Sequence, residues 1–354
     1  WIAAKALKEG FESMYGKDYD IEIIDFFEVI SKIVNKASKK IYEGSAKYFP
    51  IFFKYLYSTT DTKWSIKWLN IINYPLTSKK IAKLFNEKNP DLIISTFPVW
   101  DYLASLVWKR NNPQQKFISV ITDSITVHHA WTTANSDFYI VANQDTAASV
   151  RKLGIKNTKI KALGFPVRLA FSEAGNREEF LESQNLNPNN FTIVLLPTSE
   201  KASRTIESIN KIITKHPDLN LIVITGRNIK LEKHLYRFKT MPNVKIIGWT
   251  DQIADFIKNC DLVITKAGGA TIMECLTAEK PIIINQIIPG QEEGNAILIK
   301  RYELGLILPE SGKSLEECIN IIRQNYETYK KNLRNHSNKN ASTNIAKFIV
   351  KELS

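Results

Sequence analysis

From residue 90 onward the chain alternates short Ile- and Val-rich runs with longer amphipathic stretches, and that rhythm limits what it can fold into. Residues 91–96, 117–122, 138–142 and 159–163 read as strands, with helices over 99–110 and 145–153. After a polar, Asn-rich stretch at 176–190 the alternation restarts. Strands are predicted at 191–196, 221–225, 244–247, 261–265 and 281–285, with helices at 202–214, 252–259 and 270–278. These apolar runs lack polar alternation, so the strands are expected to be buried on both faces, and helical crossovers between them imply parallel sheets. The pattern predicts an α/β protein with two doubly wound domains facing a cleft, ligands binding at the carboxyl ends of the strands. The expected boundaries are 1–167, 168–340, and a closing helix in 341–354.

A length of 354 residues suits two domains, each able to bury a core. No apolar run approaches the roughly 20 residues that span a bilayer, so any membrane contact is expected to be peripheral. The net charge of +12 favours anionic partners: nucleic acid, anionic lipid or phosphorylated ligands. Cys260, Cys275 and Cys318 form neither a disulfide framework nor a metal-ligand pattern. With no signal-peptide pattern, a cytoplasmic location is expected. Residues 26–77 interleave aromatics (Phe26, Tyr55, Trp64, Trp68, Tyr74 among them) with lysines, a mixture that suits a bilayer interface. The alternative is that these aromatics pack inside the first domain.

The run from Asp261 to Glu274 carries the most chemistry. A buried strand ends at Thr265, Gly268 and Gly269 follow, and a helix begins. Free amides at a helix N-terminus attract anions, and glycine lets a phosphate reach the backbone. Gly268, Gly269 and Thr271 are thus placed for a diphosphate, and Glu274, about one turn in, for ribose hydroxyls. Glycines in such a turn also serve sterics alone. One strand later, Pro289 and Gly290 make a turn, and Gln291, Glu292 and Asn295 open a helix at the same sheet edge. Amide and carboxylate groups there suit sugar hydroxyls; acids at a helix start also complement its dipole.

These stretches, with Gly248-Trp-Thr-Asp251, resemble the donor half of the processive diacylglycerol glucosyltransferases and plant-type monogalactosyldiacylglycerol synthases. In the first domain, residues 90–98, Thr122-Asp123 with His128 and Trp131, residues 137–142, and Gly164-Phe-Pro-Val-Arg168 are similar to the same enzymes. The resemblance implies a GT-B fold of two Rossmann-like domains and an inverting, metal-independent transfer of a hexose from a UDP-sugar to a lipid. Diacylglycerol is the expected acceptor, met at an anionic membrane surface, with UDP-glucose or UDP-galactose as donor and no cofactor. Gly268 and Gly269, assisted by Thr271, would face the UDP phosphates, and Glu274 the ribose. Gln291 and Glu292 would read the sugar, with Asn295 near the sugar or phosphates. Trp249, or the backbone beside it, would flank the uracil, and Arg227 would be a second nucleotide contact.

The resemblance also implies a first strand and a histidine base ahead of Trp1. Within the chain, Asp123, His128 and Asp25, the last ending a strand over 21–24, are the catalytic candidates. Residues 197–201, where the similar enzymes place glycines, offer Thr198 and Ser199 as donors instead. Lys266 either neutralises phosphate charge or is solvated. Asp18-Tyr-Asp20 matches the Asp-x-Asp of metal-dependent GT-A enzymes but precedes the expected strand, so no metal site is assigned. His129, His216, His234 and His336 read as surface residues. The Gly-x-Ser-x-Gly elbow of a hydrolase is absent, and no nucleic-acid module is recognised. The rival readings are transfer to another lipid, such as a polyprenyl-linked acceptor, and a non-catalytic UDP-sugar sensor at the membrane.

Overall fold

The computed structural model describes residues 1–26, 28, 61–197, 201–290 and 292–353, less the side chains of residues 63, 67–73 and 76. The described helices are α1 (Ile2–Tyr15), α2 (Lys63–Lys88), α3 (Pro98–Asn111), α4 (Gln144–Lys152), α5 (Arg177–Ser183), α6 (Ala202–Lys215) and α7 (Ile229–His234). They continue as α8 (Ile253–Asn259), α9 (Gly269–Thr277), α10 (Glu293–Arg301), α11 (Leu308–Ser311), α12 (Leu315–Gln324), α13 (Tyr326–His336) and α14 (Ala341–Leu353). The chain forms two compact units. One comprises Trp1–Arg168, Ile288–Gly294 and Asn340–Ser354, and the other Leu169–Ile287 and Asn295–Lys339. Residues 288–294, assigned by sequence to the second domain, pack with the first unit.

In the first unit, β1 (Leu92–Ser95), β2 (Lys116–Val120), β3 (Phe138–Val141) and β4 (Ile160–Ala162) form a parallel sheet in chain order. One core joins Ile118, Val120 and Ile140 to Leu7 and Phe11 of α1 and to Ile345 and Ile349 of α14. Another joins Phe117 to Ile81, Phe85, Leu103 and Trp108 from α2 and α3. Phe26 and Tyr74 pack against this second core, as the packing alternative for the aromatic segment requires. Residues 27 and 29–60, and the Trp68 side chain, lie outside the described residues.

One expectation for this unit fails, the strand over 21–24. α1 runs past Gly10 to Tyr15, and Gly16 caps it. Gly10 is glycine because its Cβ would lie 2.6 Å from the Ser342 carbonyl oxygen of α14. Residues 21–24 form no strand. A strand needs a neighbour to take its backbone groups. None of the described strands pairs with these residues, and the Ile21 carbonyl instead accepts from Lys8 Nζ at 3.0 Å.

In the second unit six described strands run in the order β10-β9-β8-β5-β6-β7, all parallel. They are β5 (Thr192–Leu195), β6 (Asn220–Ile224), β7 (Val244–Ile247), β8 (Leu262–Lys266), β9 (Ile282–Gln286) and β10 (Gly305–Ile307). Counted from β5 this is the 3-2-1-4-5-6 order of a dinucleotide-type sheet, whose winding reverses between β5 and β8. The crevice beyond that pair is where such a sheet takes ligands. Buried Ile, Leu and Val from β5, β6 and β8 pack with Ile209 and Ile212 of α6 and with Ile319 and Ile322 of α12. Asp261 fixes the start of β8, accepting from Arg177 at 2.8 Å and from the Thr192 amide at 2.7 Å.

Candidate functional site

The turn after β8 lies at the reversal point. The strand bulges between Thr265 and Lys266 where it meets β9, and bulges re-aim the residues that follow. The Gly268 amide donates to the Lys266 carbonyl at 2.8 Å, and Gly268 caps α9 without a side-chain hydrogen bond. The first intrahelical bond of α9 runs from the Ile272 amide to the Gly268 carbonyl. The amides of Gly269, Ala270 and Thr271 are thus the open N-terminus of a nine-residue helix. Their positive dipole end suits a phosphate. Glu274 lies on the same helix and is buried.

Two further polar atoms serve this turn. Thr265 Oγ1 and Asn295 Oδ1 are buried and, among the described residues, have no hydrogen-bond partner. Asn295 is held by its other end, Nδ2 donating to the Ala267 carbonyl at 2.9 Å. The sequence placed Gly268, Gly269, Thr271 and Asn295 at one edge, and the fold assembles them there. Trp249 follows β7, three strands from β8, or about 14 Å at the usual strand spacing. Its ring is 60% exposed and has the Arg227 guanidinium 5.4 Å from its centroid. Residues 198–200, including Thr198 and Ser199, lie outside the described residues, as does Gln291.

In the first unit, Gly290 adopts φ 88°, so the Pro289-Gly290 turn requires glycine. Glu292 is buried and folds back on its own turn. Its carboxylate accepts from the Ile288 amide at 3.0 Å, while its own amide donates to the Ile288 carbonyl at 3.1 Å.

Asp123 and His128 do come together. The His128 amide donates to Asp123 Oδ2 at 3.3 Å. Burial pushes the Asp123 carboxyl up to about 6; the His128 amide and the Trp131 indole oppose the rise and the Asp61 charge adds to it. His128 Nδ1 accepts from the Ala130 amide at 3.1 Å, which leaves Nε2 to carry the proton in the neutral ring. That nitrogen lies 3.7 Å from Asp61 Oδ1. Asp61 also accepts from the His129 amide at 2.7 Å and lies 2.9 Å from His129 Nδ1. Asp61 is a residue that sequence reasoning missed, since it lies within the aromatic-rich segment and no local motif marks it.

His129 is therefore a partnered residue and not a bare surface one. His216 is buried, whereas His234 and His336 are exposed, the His336 ring lying tilted against Tyr302 with centroids 4.1 Å apart. Asp25 is half-buried in a stretch without regular secondary structure. Among the described residues no three His, Cys, Asp or Glu side chains converge as a metal-holding group. None of the described helices is long and apolar enough to cross a membrane.

Residues 2–167 match the family model of monogalactosyldiacylglycerol (MGDG) synthase, and residues 198–353 that of the glycosyltransferase family 28 C-terminal domain. A processive diacylglycerol beta-glucosyltransferase from Staphylococcus epidermidis is 32% identical over 308 residues, covering 86% of this chain and 77% of that one. The chain belongs to the family of the diacylglycerol glycosyltransferases. A second member, the processive diacylglycerol beta-glucosyltransferase of Bacillus subtilis, is 23% identical over 336 residues, covering 94% of this chain and 87% of that one.

Solved structures agree on the fold. The UDP-GlcNAc 2-epimerase of Neisseria meningitidis, bound to UDP-GlcNAc, superposes with a TM-score of 0.58 at 14% identity, covering 83% of this chain and 82% of that one. Acinetobacter baumannii MurG gives 0.54 at 15%, covering 77% of each. This chain and these solved structures share the GT-B fold, built on two Rossmann-like parallel sheets.

Proposed function

We propose that this glycosyltransferase moves a hexose from a UDP-sugar to diacylglycerol, with inversion and without a metal ion. The observation that carries the reading is the open N-terminus of α9 at the β5–β8 reversal point, with two unsatisfied buried oxygens beside it. The amides of Gly269, Ala270 and Thr271 hold the diphosphate, Glu274 the ribose, and Trp249 with Arg227 the uracil. Glu292 and Gln291 read the sugar hydroxyls, and Asn295 serves the phosphates or the sugar.

The acceptor hydroxyl attacks the anomeric carbon from the face opposite UDP. The bond to the diphosphate oxygen breaks, UDP keeps the electron pair, and the helix dipole stabilises that charge as it forms. The hydroxyl proton goes to a base. Asp123 suits that work within the chain, because a carboxylate near 6 is ionised at neutral pH yet basic enough to accept. His128 is its neighbour, and Asp25 is the second carboxylate candidate. The acceptor comes from the cytoplasmic face of an anionic bilayer, to which the net charge of +12 draws the protein. Trp64, 71% exposed, and the exposed Phe97 and Val99 give the first unit an apolar contact.

Each refinement has its own test. An anomeric proton showing an α-linkage from an α-linked donor would overturn inversion. Loss of turnover in EDTA would overturn metal independence. Flotation with anionic but not zwitterionic vesicles is the expected membrane behaviour; equal flotation with both would remove the electrostatic part.

A further inference from the structure

The loop between Asp123 and His128 is strained, and a glycine on another segment sits against the strained point. Ile125 has φ 59°, in the left-handed region where a β-branched residue is an outlier, and it is 8% exposed. The Thr126 amide donates to the Ser124 carbonyl at 2.7 Å across it, a three-residue turn of the strained hand. The Ile125 amide is taken by Thr146 Oγ1 at 3.0 Å. Such a turn persists only where its surroundings enforce it.

The other half of the contact is Gly294, in the first turn of α10. A Cβ built there would overlap the Ser124 carbonyl oxygen and fall 2.5 Å from Thr126 Oγ1 and 2.8 Å from the Thr126 amide nitrogen. Gly294 has no positive φ that would demand glycine. Space alone demands it. The backbone at Gly294 therefore lies directly on the 124–126 turn. Asp123 and His128 flank that turn, and Glu292 stands two residues before the glycine.

We propose that Gly294 is a positioning residue for the transfer step, its bare backbone setting how close the Glu292 turn stands to the loop that carries Asp123 and His128. The proposal rests on the transfer reading above: the sugar is held from one side of the contact and the acceptor proton is taken on the other. Any side chain at 294 moves the two apart by about an ångström, a displacement that can cost on the order of 100-fold in rate without touching a reacting group.

The test uses full-length protein with vesicles of diacylglycerol in anionic lipid and the active UDP-hexose. Gly294→Ala is expected to lower kcat about 100-fold while donor KM and calorimetric UDP affinity stay within about threefold. Adding Ile125→Gly to Gly294→Ala lets the turn back away and is expected to return at least tenfold of the lost kcat. Wild-type kcat in Gly294→Ala would overturn the proposal. So would UDP affinity falling in step with kcat and with folded fraction by circular dichroism, the mark of a merely structural glycine. No glycolipid from the wild type with either donor would sink the transfer reading, and this inference with it.

Discussion

Asn295 Nδ2 donates to the Ala267 carbonyl at 2.9 Å, fastening the start of α10 to the turn between β8 and α9. The same side chain leaves Oδ1 buried and, among the described residues, unsatisfied beside that turn. Asn295→Ala removes both roles. UDP affinity should fall about tenfold, the worth of roughly one hydrogen bond and the packing it secures, while circular dichroism shows a folded protein. Calorimetric titration of UDP checks this, and unchanged affinity would remove Asn295 from the donor site.

Asp123 predicts the acid side of the rate profile. Its carboxyl is pushed up to about 6 by burial, so the basic form is mostly lost at pH 5 and mostly present at pH 7. If Asp123 takes the proton, kcat/KM should rise roughly tenfold over that span, with an apparent pKa near 6. A profile flat between pH 5 and 7 would show that another group is the base.

Asp101 controls stability in the opposite direction. It is fully buried in α3, accepts from Ser119 Oγ at 2.7 Å and from Ser95 Oγ, and its carboxyl is raised to about 7, chiefly by burial. Between pH ~4 and ~7 the unfolded chain has lost this proton and the folded chain keeps it. Stability therefore falls as pH rises, by up to about 1.4 kcal/mol per unit, and levels off above 7. Asp101→Asn should lose that slope. Urea unfolding at pH 5 and pH 7 should show the wild type losing about 2 kcal/mol more than the variant; equal losses would contradict it.

Gly10 tests the packing of α1 on α14. Glycine to alanine inside a helix ordinarily stabilises by about 1 kcal/mol. Here the new Cβ would sit 2.6 Å from the Ser342 carbonyl oxygen, and such overpacking costs about 1–3 kcal/mol. The expected net effect of Gly10→Ala is a melting temperature lowered by a few degrees; an increase would show that the two helices have room to part.

What was readable in the chain follows from how local each signal is. The β8–α9 turn was legible because one unbroken run, Thr265 to Glu274, holds strand end, glycines and helix start. Buried strands such as 221–224 stood out because nothing polar interrupts them. Residues 21–24 have strand composition, but a strand exists only with a partner. Asp61 was invisible because His128 and His129, the groups it meets, lie 67 and 68 positions away. The short edge strand Gly305–Ile307 and the helices from Leu308 to His336 passed unread, whereas the closing helix over 341–354 was read and is found as Ala341–Leu353.

The central claim is tested most directly by product formation. Full-length protein would be mixed with diacylglycerol in anionic vesicles, UDP-glucose or UDP-galactose supplied in turn, and UDP and lipid followed by mass spectrometry. The account predicts a hexosyldiacylglycerol from one donor, with one UDP released for each sugar transferred. UDP binding without glycolipid from either donor would point to another acceptor or to a sensor, and failure to bind UDP at all would contradict the account at its root.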